Sequence, residues 1–450
     1  MTRLLTTDVD RMQNVAAQAL DMALSLGADQ VVATARANAG VEVTAREGTI
    51  DTALRNAGQL LTITLYRGAR AGTATTAAFD ADAIRQAAEE ASAIAALVAE
   101  NPDALPPALQ EMAVDTTLPP IDAPAEHSVA DLRTMALEGD ALLRSGSRPG
   151  VVVETLVSGI STIEGSRAQA TSAGFCRGLS YSFHSAWLVA LARGANGSVS
   201  DSADSNERRF DRLAPLETLA ERAIARATGQ LSTRPVSSHC GPVLFEARVA
   251  AALIGDLVGA LSGHAQQHGR TFLPQALDRK VAAAHLDLLE DPFEPFGLAS
   301  GAFDSEGIAG QRRSVLDAGT VKGLFLDIRS ARRLGKAFTG NADGPWNLTL
   351  ESRAERGSFA ALCRRMGRGL VVQRLTGGST DLVTGNWTYA VAGMWVEDGI
   401  PIHAVTDVTV GGNMRDMLTG IVAVGEDTER RGALGTGSIL IDAMRIGGAA

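Results

Sequence analysis

The stretch GPVLFEARVAAALIGDLVGALSG, residues 241–263, constrains the fold more than any other. After Glu246 its apolar side chains fall on nearly every face of a 3.6-residue period, so a helix here has to be packed on all sides. Such a helix needs a large domain around it, and 450 residues leave room for two or three cores. Gly263 and Gly269 bracket a short histidine-bearing segment, and glycine commonly sits just past the last turn of a helix. The helix is therefore expected to stop before His264, leaving His264 and His268 in a loop.

That pair raises a chemical question. On an unbroken helix, residues i and i+4 share a face, and two histidines so placed can pinch a zinc ion as in His-Glu-x-x-His. Here Ala265 stands where the general base would be, and Gln266 and Gln267 take no proton near neutral pH. The pair reads as solvated or core-satisfied imidazoles, a decoy rather than a metal site. A self-sufficient metallohydrolase using His264, His268 and an acid such as Asp256 stands as the alternative enzyme reading.

Upstream, apolar spacing predicts a helix from Asp8 to about Gly27. Strands are expected at VVATARA, VEVTARE and LLTITLYRG, with turns at Gly40, Gly48 and Gly58, followed by a helix over DADAIRQAAEEASAIAALVAE. The same order recurs in SVADLRTMALEGDALLRS (helix), VVVETLVSG, RAQATSAG and LSYSFHSAWLVALAR (strands) and PLETLAERAIARATG (helix). Residues 1–105 and 129–230 thus read as duplicated helix/strands/helix units, on element order alone. The proline-rich residues 106–128 read as a linker crossing the surface. From 231 to 450 the chain turns to Gly-rich hairpins, RSVLDAGTVKGLFLD and YAVAGMWVEDGIPIHAVTDVTV, and closes on a terminal strand, GSILIDAMRIGG. The fold class is α+β: two duplicated units, then a larger sheet-dominated domain holding the buried helix.

Several functions are disfavoured. A net charge of −10 without a dense Lys/Arg cluster gives no footprint for nucleic acid. No apolar run reaches the ~18 residues that span a bilayer, and the opening MTRLLTTDVDRMQNVAAQ lacks a secretory core, so a cytoplasmic location is expected. Cys176, Cys240 and Cys363, odd in number and far apart, are expected as reduced, buried thiols. The triplets at Asn196, Asn347 and Asn386 carry no weight in a chain that is not secreted. GALGTGS and TGGSTDLVTG read as turns, since neither opens a helix after a strand, and no Gly-x-Ser-x-Gly elbow occurs. In TGNADGPWNLTLES, residues 339–352, Gly340, Asn341, Gly344, Trp346 and Asn347 join flexible backbone, amide groups and an aromatic face; they are candidates for binding an extended peptide, or else for holding turns.

LFLDIRSARRLGKAFTGNADGPWNLTLE, GGSTDLVTGNWTYAVAGMWVEDGIPIHAVTDVTVGGNMRDMLTGIVAVGED and the ending GTGSILIDAMRIGG resemble the TldD/PmbA family, whose bacterial members carry the name modulator of DNA gyrase. The resemblance implies two kinds of subunit. TldD-type chains carry His-Glu-x-x-x-His on a buried helix plus a cysteine near the C-terminus, and these hold a catalytic zinc; PmbA or TldE-type chains lack them and pair with an active subunit. Setting the family helix on AALIGDLVGALSG places Gly255 and Ala260 at the histidine positions and Asp256 at the glutamate. EDTERRGALGTGSILIDAMRI contains no cysteine. The implied function is a non-catalytic subunit of a zinc metallopeptidase acting on extended peptides or unfolded segments. No catalytic or metal-binding residue is assigned to this chain, and zinc is expected in a His-Glu-x-x-x-His partner. Alone, the chain is expected to form a homodimer through a face after about Ser232. A homodimeric peptide-binding or regulatory protein is the remaining alternative.

Overall fold

The computed structural model describes residues 8–448 apart from 196 and 355. Asn196, the first residue of its triplet, therefore lies outside the described residues. The first unit runs α1 (Val9–Ser25), β1 (Gln30–Arg46), β2 (Thr49–Arg67), β3 (Arg70–Thr76) and α2 (Ala81–Leu97). The second repeats it with α3 (Val129–Ser145), β4 (Val152–Thr171), β5 (Cys176–Gly194), β6 (Gly197–Glu207) and α4 (Leu216–Gly229). The six strands form one antiparallel sheet in the order β3-β2-β1-β4-β5-β6, so the repeats meet along β1 and β4. Two short hydrogen-bonded sequences set the helix starts: Asp8 accepts from the Arg11 N–H, and Ser128 and Asp131 form a reciprocal capping box.

Gly40 and Gly58 are not turns. They lie inside β1 and β2, opposite Asn56 and Asn38, and only Gly48, at φ +76°, reverses the chain. Pairing on both sides of β1 outweighs glycine's poor strand propensity. At Gly40 the close approach of β4 also demands it, because a Cβ would press on the Thr162 carbonyl at 2.8 Å and Ile163 Cγ1 at 2.9 Å. In the second unit VVVETLVSG and RAQATSAG likewise merge into β4. The polar β6, GSVSDSADSNE, has no apolar alternation that would announce it.

Alternation then decides what each face does. Val31, Ala33 and Ala35 pack under α1 and α2, and Val41 and Val43 under α3 and α4. The opposite face turns toward the C-terminal half. Residues 106–128 are more than a surface linker: Met112, Ala113 and Ile121 are buried with Phe175, Leu179 and Phe303. The Ser182 N–H donates to the Ile121 carbonyl, and the Ala123 N–H to Ser182 Oγ, so this strap lines the part of β5 that β6 does not reach.

The C-terminal half opens with β7 (His239–Phe245), α5 (Ala247–Ala260) and α6 (Gly263–Gln267), then β8 (Leu286–Asp291), β9 (Arg313–Asp317) and β10 (Thr320–Val321). There follow α7 (Ile328–Leu334), β11 (Asn347–Ser352), α8 (Phe359–Met366), β12 (Gly369–Thr380), β13 (Asn386–Glu397) and β14 (Ile400–Asn413). It ends with α9 (Met414–Thr419), β15 (Ile421–Val424), β16 (Glu429–Arg431), β17 (Leu434–Thr436) and β18 (Ile439–Gly447). Strands β14-β13-β12-β7-β18 close into a barrel because β14 also pairs with β18, through Thr409–Gly411 and Arg445–Gly447. The terminal strand is thus no exposed edge: it pairs with β7 on one side and with β15 and β14 on the other. A second sheet, β10-β9-β8-β11-β17-β16, lies beside the barrel. The expected buried helix is α5, packed against β12 on one side and β16 and β17 on the other. Among the described residues no helix is long and apolar enough to cross a membrane. All three cysteines are free, but only Cys363 is buried; Cys176 and Cys240 are exposed, since each stands at the open beginning or outer side of its strand.

Candidate functional site

Gly255, Asp256 and Ala260 of α5, onto which the resemblance sets the family motif, are sent by the fold in different directions. Gly255 faces a groove of about 530 Å³ bounded by Ser202 and Asp204 of β6, Arg374 of β12 and Arg431 of β16. A Cβ at Gly255 would meet only Leu434 Cδ1, at 3.7 Å, so there is room for a side chain where none stands. Asp256 turns instead to the barrel wall, where Thr380 Oγ1 donates to its Oδ2 at 2.7 Å. Burial pushes its carboxyl above the ordinary range, opposed by Thr380 and the neighbouring Trp387 indole. Ala260 is fully buried, and its carbonyl accepts from Gln266 Nε2 and Thr271 Oγ1, each at 2.8 Å.

A zinc ion does not fit these residues. Gly255 and Ala260 offer no donor atom, and the one carboxylate is engaged by Thr380 on another side of the helix, against about three protein ligands at a catalytic zinc. Residues i and i+5 of a regular helix also lie roughly 140° apart.

The histidines are not in a loop. Ser262 interrupts the helix and restarts it, accepting from the Ala265 N–H, so His264 rides on α6 and His268 caps its end. Their rings are neighbours, with centroids 5.0 Å apart. Both are exposed, and the surroundings are cationic. Partial desolvation together with His264, Arg270, Arg333 and Arg329 holds the His268 imidazole below its usual pKa. Among the described residues, no group of three His, Cys, Asp or Glu side chains is gathered as a metal centre would need.

The groove beside Gly255 is crossed by ion pairs. Arg248 on α5 meets Asp201 at 3.1 Å and Glu246 at 3.2 Å, and Arg431 meets Asp204 at 2.6 Å. Arg374 and Arg226 donate to the Ser200 and Ser202 carbonyls, which satisfies outward acceptors along the edge of β6. The contacts of Arg248 with Asp201, Arg431 with Asp204 and Arg374 with the Ser200 carbonyl dock the C-terminal half onto the second repeat, while Arg226 holds Ser202 from α4 of the repeat itself.

A separate cavity of about 570 Å³ lies between the free face of the sheet and the loops at 299–304 and 340–346. Its floor is Ile163, Tyr181 and Phe183, alternate residues of β4 and β5. Gly165 is opposite Tyr181 in register, and the phenol ring lies where a Cβ at Gly165 would be. The TGNADGPWN loop forms the opposite wall, where Gly340 and Trp346 line the cavity. Asn341 and Asn347 do not offer their amides to it. Asn341 donates to Glu290 Oε1 at 2.8 Å and accepts from Arg313; Asn347 donates to Ser300 Oγ and the Asp291 carbonyl and accepts from the Ala299 N–H. Trp346 Nε1 donates to the Gly340 carbonyl at 2.7 Å. Turn-holding thus takes the side-chain amides and the indole N–H of this loop, and what faces the cavity is indole surface, backbone and Asp343.

Sequence reasoning missed the arginines of this cavity. Arg36 and Arg167 stand directly opposite each other on β1 and β4, and Arg208 lies nearby. Arg208 donates to the Gly297, Leu298 and Ser182 carbonyls. Arg167 donates to the Phe303 carbonyl at 2.8 Å and reaches Asp343 only at 3.9 Å. On the wall, Asp304 accepts three backbone N–H groups, yet burial still raises its pKa. Glu306 is pushed up to about 7, chiefly by burial, with Asp304, Asp327 and Asp343 adding to the shift against a hydrogen bond from the Ile328 N–H.

The chain matches two family descriptions: the PmbA/TldA metallopeptidase central domain over residues 119–231 and the C-terminal domain over 238–448. It is 30% identical over 446 residues to Metalloprotease PmbA of Escherichia coli O157:H7, covering 98% of both chains. It is 28% identical to the Metalloprotease PmbA homolog of Haemophilus influenzae, over 99% of this chain and 98% of that one. Its fold matches a Bacteroides thetaiotaomicron chain named as a modulator of DNA gyrase, with a TM-score of 0.90 at 21% identity, over 98% of this chain and 99% of that one. TldE from Thermococcus kodakarensis matches with a TM-score of 0.80 at 20% identity, over 97% and 99%.

Proposed function

The chain belongs to the TldD/PmbA metallopeptidase family, and from that premise we propose that it is the non-catalytic subunit of a two-subunit zinc metallopeptidase of the cytoplasm, acting on peptides or unfolded segments. What supports this reading is an alignment that spans 98% of a PmbA relative, together with the lack of any donor atom on the side chains of Gly255 and Ala260, onto which the resemblance sets the ligand positions. In the pairing, a TldD-type partner with His-Glu-x-x-x-His holds the zinc, whose chemistry is to activate water and polarise the scissile carbonyl. This chain contributes walls and binding surface, and an extended peptide is selected because only an unfolded segment can enter.

The test is expression of the full chain alone and together with the His-Glu-x-x-x-His relative from the same genome. Alone, the expected product is a homodimer without peptidase activity; together, a heterodimer that cleaves unstructured peptides. A stable monomer at micromolar concentration by light scattering, with no association to that relative, overturns the proposal. Zinc near one per chain, abolished by His268→Ala, would instead favour the self-sufficient metallohydrolase. The cationic surroundings of His268 speak against that outcome.

A further inference from the structure

We infer that the cavity between β1, β4 and β5 and the Gly340–Trp346 loop binds a peptide carboxylate lying next to an apolar side chain, with Arg36 as its charge partner. This deepens the peptide-binding reading above and rests on it for the class of ligand.

The register carries the inference. Arg36 and Arg167 are Cα partners across β1 and β4, and their side chains project from the same face of the sheet into one cavity. Like charges directly opposite each other destabilise a strand pair, and folded chains usually answer such a pair with nearby carboxylates. Here the answer is partial. Arg167 is held by the Phe303 carbonyl and distantly by Asp343, while among the described residues Arg36 has neither ion pair nor hydrogen bond. Arg208 adds a third cation, its donors directed to carbonyls rather than carboxylates. Of the two acids on the wall, Asp304 is committed to backbone N–H groups, and Asp343 accepts from the Ser305 N–H.

The site is therefore cationic, with one guanidinium unpaired, above a floor of Ile163, Tyr181 and Phe183 and beside the Trp346 ring. A carboxylate answers Arg36 with charge-assisted hydrogen bonds, and an adjacent aliphatic or aromatic side chain covers the floor. Phosphate would leave that apolar floor unused. The carboxylate can come from a peptide's C-terminus or from an Asp side chain, and the two are separable.

The experiment is calorimetric titration of the full chain with three acetylated pentapeptides: one ending in Leu-Phe as the free acid, the same peptide as its C-terminal amide, and an amidated peptide with Asp before Phe. The expected result is binding of at least one carboxylate peptide at least about tenfold tighter than the uncharged amide, as one charge-assisted contact requires. The better of the two names the source. Arg36→Gln, at an exposed position with no partner to lose, should bring that peptide down to the affinity of the amide and leave the amide unchanged. Equal affinity for acid and amide in the wild-type chain, an unchanged preference in the variant, or no binding of any peptide overturns the inference. The last result beside an active heterodimer would overturn it while the subunit reading stands. Carboxylate-dependent binding by a chain that never associates with a His-Glu-x-x-x-His relative would do the reverse.

Discussion

The two repeats of the N-terminal sheet share an order of elements and differ in what leans on them. On the second, Arg248 and Arg431 of the C-terminal half reach Asp201 and Asp204, Arg374 reaches the β6 edge, and the strap lines the beginning of β5. On the first, α2 lies so close over β3 that a Cβ at Gly72 would collide with the Ala91 carbonyl, while residues 53–58 of β2 are exposed in an unbroken run. A duplication supplies two equal frames. The bonds made to each decide which half becomes interior and which remains surface.

Breaking the contacts on the second repeat should have the largest effect. The Arg248 and Asp201 side chains are only 12% and 7% exposed, so Arg248→Ala leaves Asp201 buried without its partner and should cost about 3–5 kcal/mol in chemical denaturation. A loss below about 1 kcal/mol would mean that the repeats are docked more equally than the ion pairs indicate.

The first repeat meets the C-terminal half through a different chemistry. Tyr66 at the end of β2 feels Glu306 and Arg332, and burial with that acid raises the phenol's pKa. Because the Glu306 pKa rises from 4.5 to about 7 on folding, the folded chain binds more protons than the unfolded one between those values. Stability should fall as pH rises through this window, by on the order of 2–3 kcal/mol between pH 5 and 8. Glu306→Gln should flatten that stretch of the stability profile while keeping an acceptor for the Ile328 N–H. A profile as steep as the wild type's would assign the pH dependence elsewhere.

Two smaller changes sharpen the contrast. Gly165→Ala on the second repeat must displace the Tyr181 ring and should cost about 1–3 kcal/mol, with a matching change in the ligand affinity of the cavity. Leu54→Ser on the first, at a side chain already 50% exposed, should move stability by no more than about 0.5 kcal/mol. A clear loss in thermal unfolding at Leu54 would show that this surface is covered in solution.

The sequence carried the helices and the duplicated order because apolar spacing and caps such as Asp8 and Ser128 act locally. It misled at Gly40 and Gly58, where strand pairing overrode a local preference, and it gave no notice of β6, whose Asp201, Asp204 and Ser200 are tied down from the C-terminal half. At α5 the resemblance pointed to Gly255, Asp256 and Ala260, but only the packing shows that they face a groove, the barrel wall and the core. The restart of the helix at Ser262, which brings the His264 and His268 rings together, depends on one hydroxyl accepting one N–H. In VVATARANAG, Arg36 is simply the polar member of an alternating strand. The role proposed for it comes from standing across from Arg167, and that register involves residues more than a hundred positions away.

The β1–β4 seam also has a consequence for how the chain reaches this structure. It joins the repeats through fourteen paired positions, Val32–Ala45 against Ser158–Thr171, and cannot begin to form until the whole first repeat, the strap and α3 have been synthesised. Ring closure over that length is slow beside the hairpins β1–β2 and β4–β5, which need only short turns. During synthesis, therefore, the first repeat spends time as a three-stranded sheet with the long side of β1 bare. A second nascent chain presents the matching β4 ribbon. Exchange of repeats between chains competes with closure within one, and dilution or slowed translation of the second repeat shifts the yield between a closed monomeric sheet and a strand-exchanged pair.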